Sequence, residues 1–463
     1  MARAIPTRSI ARPSVGAGLT TAADRGGQAD VAVVDLFAGA GGLSEGFRQA
    51  GFRVIAGSDN DPDASATFGR NFPDAKLIVG DIRAARIKEQ ILEVAGQADV
   101  VVGGPPCQAF SQVRNHSRLI DDPRNSLYRE FVAVVAQSRP MAFLMENVTG
   151  MDQMGVRSQI VSDLELDGEY IVVPQVLDAA DFGVPQTRKR LLFIGVRKSL
   201  GIEPPNLLGT GATKLLSLER FNGATPPNYK LIAQKSPESA QIRRALSDPD
   251  DMSVVCAADA LSDLSSLVPG NRRDIVDYKE LPAPSSAYQR QMRAGAGASL
   301  TNVQVPRINR DTELRLAGIP QGGNHRDLAD NLLERYITGQ RWGQDNGSGR
   351  LSRRHFYAYR RLHPKIWAWT LNTKADAVYH YRIPRALSVR EFARLQSFPD
   401  RFTFTTDPRP GQLEGRIDGG PAHSRYRQVG NAVPPLLARA VAQALLERIR
   451  AVLPAASHRK KAG

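Results

Sequence analysis

Short apolar runs closed by Gly, Asp or Pro recur between residues 31 and 196, with amphipathic stretches between several of them. The runs are Val31 to Val34, Phe52 to Ser58, Lys76 to Val79, Ala98 to Val102, Met141 to Met145 and Arg190 to Val196. Each is too short for a helix and has the length of a buried strand. After the first run, Leu43, Phe47 and Ala50 recur at helical spacing, and Gly51 stands where a helix stop falls. Leu127, Phe131, Val134 and Val135 mark one face of a later helix. Strands that alternate with helices predict a mostly parallel sheet covered on both faces, a doubly wound α/β fold.

Near residue 199 the alternation stops. The stretch to about residue 384 is rich in Pro, Gly, Asn and Arg and reads as a separate, irregular module. Leu436, Leu437, Ala440, Val441, Ala444, Leu445 and Ile449 then form an apolar helical stripe expected to pack back on the first domain. The reading gives a flexible tail over 1–30 and a first domain over 31–198 completed by 427–450. A second module with its supporting segment covers 199–426, and a basic tail covers 451–463.

Composition narrows the setting. The formal net charge is +14 and the pI about 9.9, which points to a polyanionic partner, nucleic acid first. The two cysteines build neither a disulfide framework nor a Cys-rich zinc site, so a reduced, intracellular setting and no metal are expected. No apolar run reads as long enough to span a bilayer. The first thirty residues are rich in Arg, Ala and Gly, and resemble a flexible tail more than a signal or transit peptide.

Two ends of chemistry stand out. The loop Asp35-Leu36-Phe37-Ala38-Gly39-Ala40-Gly41-Gly42 joins the first strand to the first helix, where small residues and free N–H groups suit a ligand. Its spacing is not that of a dinucleotide fingerprint. Asp59 after the second strand can accept both hydroxyls of a ribose, and Asp81 after the third can accept from an exocyclic amine. A lone Asp in such a place is commonly a helix cap, but three in register point to a nucleoside without phosphates. At the other end, Cys107 lies in Gly103-Gly104-Pro105-Pro106-Cys107-Gln108. The two prolines stiffen the turn at the end of the fourth strand. A buried structural cysteine is the commoner fate of a free thiol. Glu146 closes the fifth strand, where poor solvation favours its protonated form. Arg188 and Arg190 in Gln186-Thr187-Arg188-Lys189-Arg190 sit two apart, on one face if the run is a strand. Cys256, in Val254-Val255-Cys256-Ala257-Ala258, reads as core packing.

Taken in order, these runs resemble the DNA (cytosine-5)-methyltransferase family. The likeness covers about 31–198 and 385–446, and extends to Arg390-Glu391-Phe392-Ala393-Arg394-Leu395-Gln396-Ser397-Phe398-Pro399 and Gln428-Val429-Gly430-Asn431-Ala432-Val433-Pro434. It implies a Rossmann-like S-adenosyl-L-methionine-dependent methyltransferase domain and a smaller target recognition domain. It implies S-adenosyl-L-methionine contacts at Phe37, Ala40, Gly42, Asp59, Asn60, Asp81, Ile82, Pro106, Leu127, Asn431 and Val433. Asn60 departs from the family, which often has an aromatic or apolar residue there.

The same resemblance implies Cys107 as nucleophile on cytosine C6, Glu146 as proton donor to N3, Arg190 as the contact to O2 and Arg188 as support. The implied substrate is double-stranded DNA with its target base flipped out, and the enzyme a cytoplasmic, bacterial monomer. A cognate restriction endonuclease is compatible with this reading but is not expected as a stable subunit. In the long module, basic and aromatic residues interleave, and Arg353, Arg354, Arg360, Arg361, Arg290 and Arg293 are the expected DNA contacts. A tRNA cytosine methyltransferase and a catalytically silent DNA-binding protein are the alternatives.

Overall fold

The computed structural model describes residues 30–106, 126–150, 156–219, 227–231, 236–330, 332–333, 359–407 and 421–453. Cys107, Arg353 and Arg354 lie outside these residues. The strands β1 (Ala32–Leu36), β2 (Arg53–Asp59), β3 (Lys76–Val79), β4 (Val100–Gly103), β5 (Ala142–Val148), β6 (Tyr170–Asp178) and β7 (Lys189–Arg197) form one sheet. Their order is β3-β2-β1-β4-β5-β7-β6. The first five are parallel to one another, and β7 runs antiparallel to both β5 and β6. Between β1 and β4 the chain's winding reverses, and at such a switch point the loops leaving the strands diverge to open a crevice.

Alternation along each strand sends its apolar side chains to two different cores. Val33, Val100, Val102, Leu144, Leu192 and Ile194 join one cluster, with α1 (Gly42–Ala50) and the helix Pro435–Arg450. Val34, Leu36, Val101, Phe143, Met145, Leu191 and Phe193 join the other, with α3 (Ala85–Ala95) and α4 (Ser126–Ser138), which follow α2 (Pro62–Asn71) in the chain. Fully buried rings such as Phe47 and Phe143 each contribute about 1.5–3 kcal/mol by leaving water. β6, absent from the sequence reading, is the outer strand and carries Pro174 in its middle, which an edge tolerates.

The C-terminal helix lies close along α1. A side-chain carbon at Gly46 would meet Ala438 Cβ at 2.4 Å, and one at Gly42 would meet the Val433 carbonyl at 2.3 Å. The helical stretch His423–Arg450, 28 residues, is long and apolar enough by composition to cross a bilayer, contrary to the reading of short runs. Most of it is buried inside the protein, where the apolar stripe packs on the core rather than on lipid.

Residues of the irregular stretch share the first core. Val255, Ala257, Tyr288, Met292, Leu362 and Leu371 pack in the same cluster as Val33 and Phe47. Smaller clusters form around Trp367 and Ile242, and around Leu264 and Val303. The stretch also carries two small antiparallel sheets, β8 (Leu216–Glu219) with β9 (Asn228–Leu231) and β10 (Ile275–Asp277) with β11 (Ser299–Thr301). A buried ionic cluster ties it to the helix Val389–Leu395: Arg394 grips Asp400 at 2.9 and 2.7 Å and Asp263 at 2.6 Å. Cys256 is buried with its thiol 2.7 Å from Asp259, and burial pushes that thiol up.

Candidate active site

The loop after β1 is stitched to the end of β2. Gly39 donates its N–H to Asp59 Oδ2 at 2.8 Å, and Asp61 donates to Asp59 Oδ1 at 2.8 Å. Burial raises the Asp59 carboxyl, and these two N–H groups counter part of that. A carboxylate oxygen has more than one acceptor direction, so each still has capacity for a hydroxyl. Asp35 is wholly buried and accepts from Ser44 N at 3.1 Å and Ser44 Oγ at 2.7 Å, which satisfies the first turn of α1. Burial pushes its carboxyl up to about 7.

The remaining cofactor-side residues surround this loop. Phe37 is half-buried in a left-handed backbone at φ 56°, and Ala40 is buried. Asn60 is exposed. Asp81 is ion-paired to its neighbour Arg83, and that hydrogen bond lowers its carboxyl. Ile82 is buried in the core with Ile78 and Ile91, and Leu127 packs at the edge of the same cluster. Gly42 abuts Val433, so the first loop and the Asn431-Ala432-Val433 turn share a wall. Asn431 is exposed at the end of the helix Pro421–Asn431. The helix is fastened to α2 and its cap through Arg427 on Asp61, Ser424 on Asp63 and Gln428 on Thr67.

At the ends of β4 and β5 a second group assembles. Asn147 is buried and donates to the Pro105 carbonyl at 3.2 Å, which holds the Pro105-Pro106 turn against β5. Pro106 itself is exposed. Leu144, Glu146 and Val148 follow one another on one face of β5. The antiparallel register sets Leu192 opposite Glu146 and Arg190 opposite Val148. Arg190 is therefore the diagonal neighbour of Glu146, and its Nε reaches Glu146 Oε1 at 2.5 Å. A side-chain carbon at Gly104 would lie 3.0 Å from Glu146 Oε2, so the start of the Pro-Pro turn passes directly over this carboxyl. Both charged groups are mostly buried, at 12% and 13% exposure.

Arg188 does not share that opening. It is buried and donates to Gly430 O at 2.7 Å and Leu371 O at 3.2 Å, with burial, Arg190 and Glu146 shaping its titration and the net effect a lowering. Its guanidinium thus joins the entry to β7 to the turn that carries Asn431.

Two glutamines that sequence reasoning passed over work beside it. Leu371 N donates to Gln186 Oε1 at 2.8 Å, the two amides Gln186 and Gln396 bond each other, and Gln396 Nε2 donates to Ala432 O at 2.6 Å. The signal was present, since both stand inside the motifs quoted for the resemblance.

The arginines expected on DNA divide. Arg360 is half-buried with its guanidinium 5.5 Å from the centroid of the Trp369 ring. Arg361 does not fit the expected phosphate contact, because it donates to the carbonyls of Ile319 at 2.6 Å, Tyr381 at 3.1 Å and Leu316 at 3.2 Å. Arg293 likewise holds Asp263 and the Pro282 carbonyl and lies over the Tyr278 ring, and Arg290 pairs with Asp250. Among the described residues, no group of three or more His, Cys, Asp or Glu is placed to hold a metal.

A doubly wound sheet with a glycine loop and Asp59 at one side of its switch point, and an acid–arginine pair at the other, defines a Rossmann-like methyltransferase. Comparison with known proteins narrows this. The model of the C-5 cytosine-specific DNA methylases matches residues 31–447, and the chain belongs to that family, the DNA cytosine-5-methyltransferases. It is 32% identical to the type II methyltransferase M.AgeI of Thalassovita gelatinovora, covering 89% of this chain and 98% of that one. It is 31% identical to the type II methyltransferase M.DdeI of Desulfomicrobium norvegicum, over 89% of this chain and 87% of the relative. Among solved structures, a protein described as a DNA modification methyltransferase encoded within a prophage (E. coli) aligns with a TM-score of 0.61. That match is 23% identical and covers 91% of this chain and 99% of the other, which supports the fold.

Proposed function

We propose that this enzyme methylates C5 of a cytosine flipped out of a specific double-stranded DNA sequence, with S-adenosyl-L-methionine as donor and Cys107 as covalent nucleophile. The observation that carries the reading is the Glu146–Arg190 pair, set beside the Pro105-Pro106 turn that leads into Cys107. A buried base cannot meet a thiol inside the helix, so extrusion is required.

S-adenosyl-L-methionine supplies the methyl group when bound. Asp59 has acceptor capacity for a ribose. Phe37, Ala40, Gly42, Asn60, Asp81, Ile82, Pro106, Leu127, Asn431 and Val433 are assigned the remaining cofactor contacts; the abutment of Gly42 on Val433 supports this, and Asp81, though paired with Arg83, keeps acceptor directions for an exocyclic amine. On the target, the Cys107 thiolate adds to C6. Glu146 delivers a proton to N3, which neutralises the negative charge the addition pushes there and leaves C5 the nucleophilic carbon of an enamine. Arg190 stabilises O2 as charge develops there. Arg188 holds the strand that presents Arg190. After C5 accepts the methyl group, a base takes the C5 proton, the electrons of that C–H bond form the C5–C6 double bond, and the C6–sulfur pair leaves on sulfur to restore the free Cys107 thiolate.

The type II names of the relatives support a bacterial, cytoplasmic restriction-modification or solitary modification role, as a monomer with any endonuclease acting separately. Residues 199–426 are assigned the choice of sequence, with Arg353, Arg354 and Arg360 as the retained DNA contacts. Incubation with labelled donor and either duplex DNA or tRNA, followed by nucleoside mass spectrometry, tests the reading. 5-Methylcytosine in DNA is expected. Label confined to tRNA would select the RNA activity, and label in neither would select a silent DNA-binding protein.

A further inference from the structure

We propose that the cavity between Thr187 and the Trp367–Trp369 segment binds a second, unstacked nucleobase of the DNA, distinct from the target cytosine. The inference rests on the DNA reading above. The cavity has a volume of about 240 Å³ and is lined by Thr187, Ser217, His363, Trp367 and Trp369 among others. It lies at the active-site end of β7. Gln186 bridges Ala368, Thr187 donates its N–H to Ala368 O at 2.9 Å, and Thr370 Oγ1 donates to Thr187 O at 2.7 Å. Three residues further along the same chain is Arg190, paired to Glu146. The cavity therefore belongs to the end of the sheet that carries the target site.

The walls are preformed. Leu216, Ile366 and Trp367 are buried in one small core and Ala368 in the main one, which fixes the indole of Trp367 before any ligand arrives. The lining offers indole and imidazole rings with two hydroxyls, and no carboxylate. That set suits a neutral planar heterocycle with polar edges. Ligand pockets for drug-sized molecules begin at roughly 300 Å³, so this one takes a single ring system and not a dinucleotide. Arg360 stands over Trp369 and brings positive charge next to the aromatic wall, where a nucleotide's phosphate would be welcome. Removing the target from the helix leaves its neighbours and its partner short of stacking or pairing, and such a base has most to gain from aromatic walls.

The test uses the full-length protein and a duplex carrying its methylation site, with photoreactive halogenated bases scanned through every non-target position of both strands. Irradiation should crosslink one such base to the peptide containing Trp367 and Trp369. Trp369→Ala should lower that crosslink at least tenfold and weaken duplex binding about ten- to a hundredfold, the range of one base–aromatic stack. Trp369→Phe should stay within about threefold of wild type, which separates stacking from a folding defect. Crosslinks that map only to other segments, with wild-type affinity for folded Trp369→Ala, would overturn the pocket. Methyl transfer by the wild type to the same duplex checks the underlying reading separately, because its absence would fault that reading whatever the crosslinks show.

Discussion

Arg190 and Glu146 meet across antiparallel strands, Nε to Oε1 at 2.5 Å, at the end of the sheet where the Pro-Pro turn passes. The two groups assigned to the adjacent N3 and O2 positions of one heterocycle are thus bonded to each other before the ring is present. Their roles are then coupled, and removing either one alters the other. Glu146→Gln should lower the single-turnover rate on the order of a hundredfold, with DNA affinity little changed, since an amide can bond N3 but cannot deliver a proton. Arg190→Ala should also slow the step strongly, and the double variant should lose less than the product of the two. Rapid-quench measurement checks this, and multiplicative losses would mean that the pair does not act as a unit.

Asp59→Ala should weaken S-adenosyl-L-methionine binding by roughly 1.5–3 kcal/mol, the range for a hydrogen bond to a charged group. The variant also strips Gly39 and Asp61 of their acceptor, so the first loop should loosen as well. Calorimetry without DNA measures the first effect, and hydrogen exchange at Gly39 the second. Unchanged affinity would move the ribose elsewhere.

Arg394→Met should destabilise the protein by about 3 kcal/mol, because buried Asp263 and Asp400 both lose the cation they share, Asp263 keeping Arg293 and Asp400 keeping the Tyr278 hydroxyl and Arg390 at 3.9 Å. Urea denaturation of the variant checks this.

Stability should fall in mild acid through His380. It is wholly buried, its Nδ1 accepts from Arg382 N at 3.0 Å and Ile383 N at 3.2 Å, and burial pushes it down to about 4. The unfolded chain takes up this proton near pH 6.5, while the folded chain does not until about 4. The unfolded state therefore binds more protons across that window, and stability is lost as pH drops through it. His380→Asn keeps an acceptor for the two N–H groups and should flatten this part of the pH–stability curve.

The sheet was readable because its strands are short, apolar and closed by Gly or Asp, and the glycine loop and Asp59 follow directly from where those strands end. β6 escaped because Pro174 and Gln175 split its apolar residues into two runs, Ile171 to Val173 and Val176 to Leu177, each too short to read as a strand. The antiparallel insertion of β7 between β5 and β6 also has no local mark, yet it is what brings Arg190 diagonal to Glu146. Arg361 and Arg293 looked like DNA contacts because sequence shows charge and not direction, and their partners are carbonyls and acids distant in the chain. The interleaving of the 199–426 stretch with the main core is equally non-local, as the contact of Arg394 with Asp263 illustrates.

The most direct test of the covalent mechanism is a duplex carrying 5-fluorocytosine at the target, incubated with S-adenosyl-L-methionine. Fluorine cannot leave as a proton does, so the last step is blocked and the adduct persists. The account predicts a protein–DNA species heavier by one methyl group, with the DNA on the peptide containing Cys107, and none with Cys107→Ser. Active enzyme that methylates ordinary cytosine yet forms no adduct, or an adduct on another residue, would contradict it.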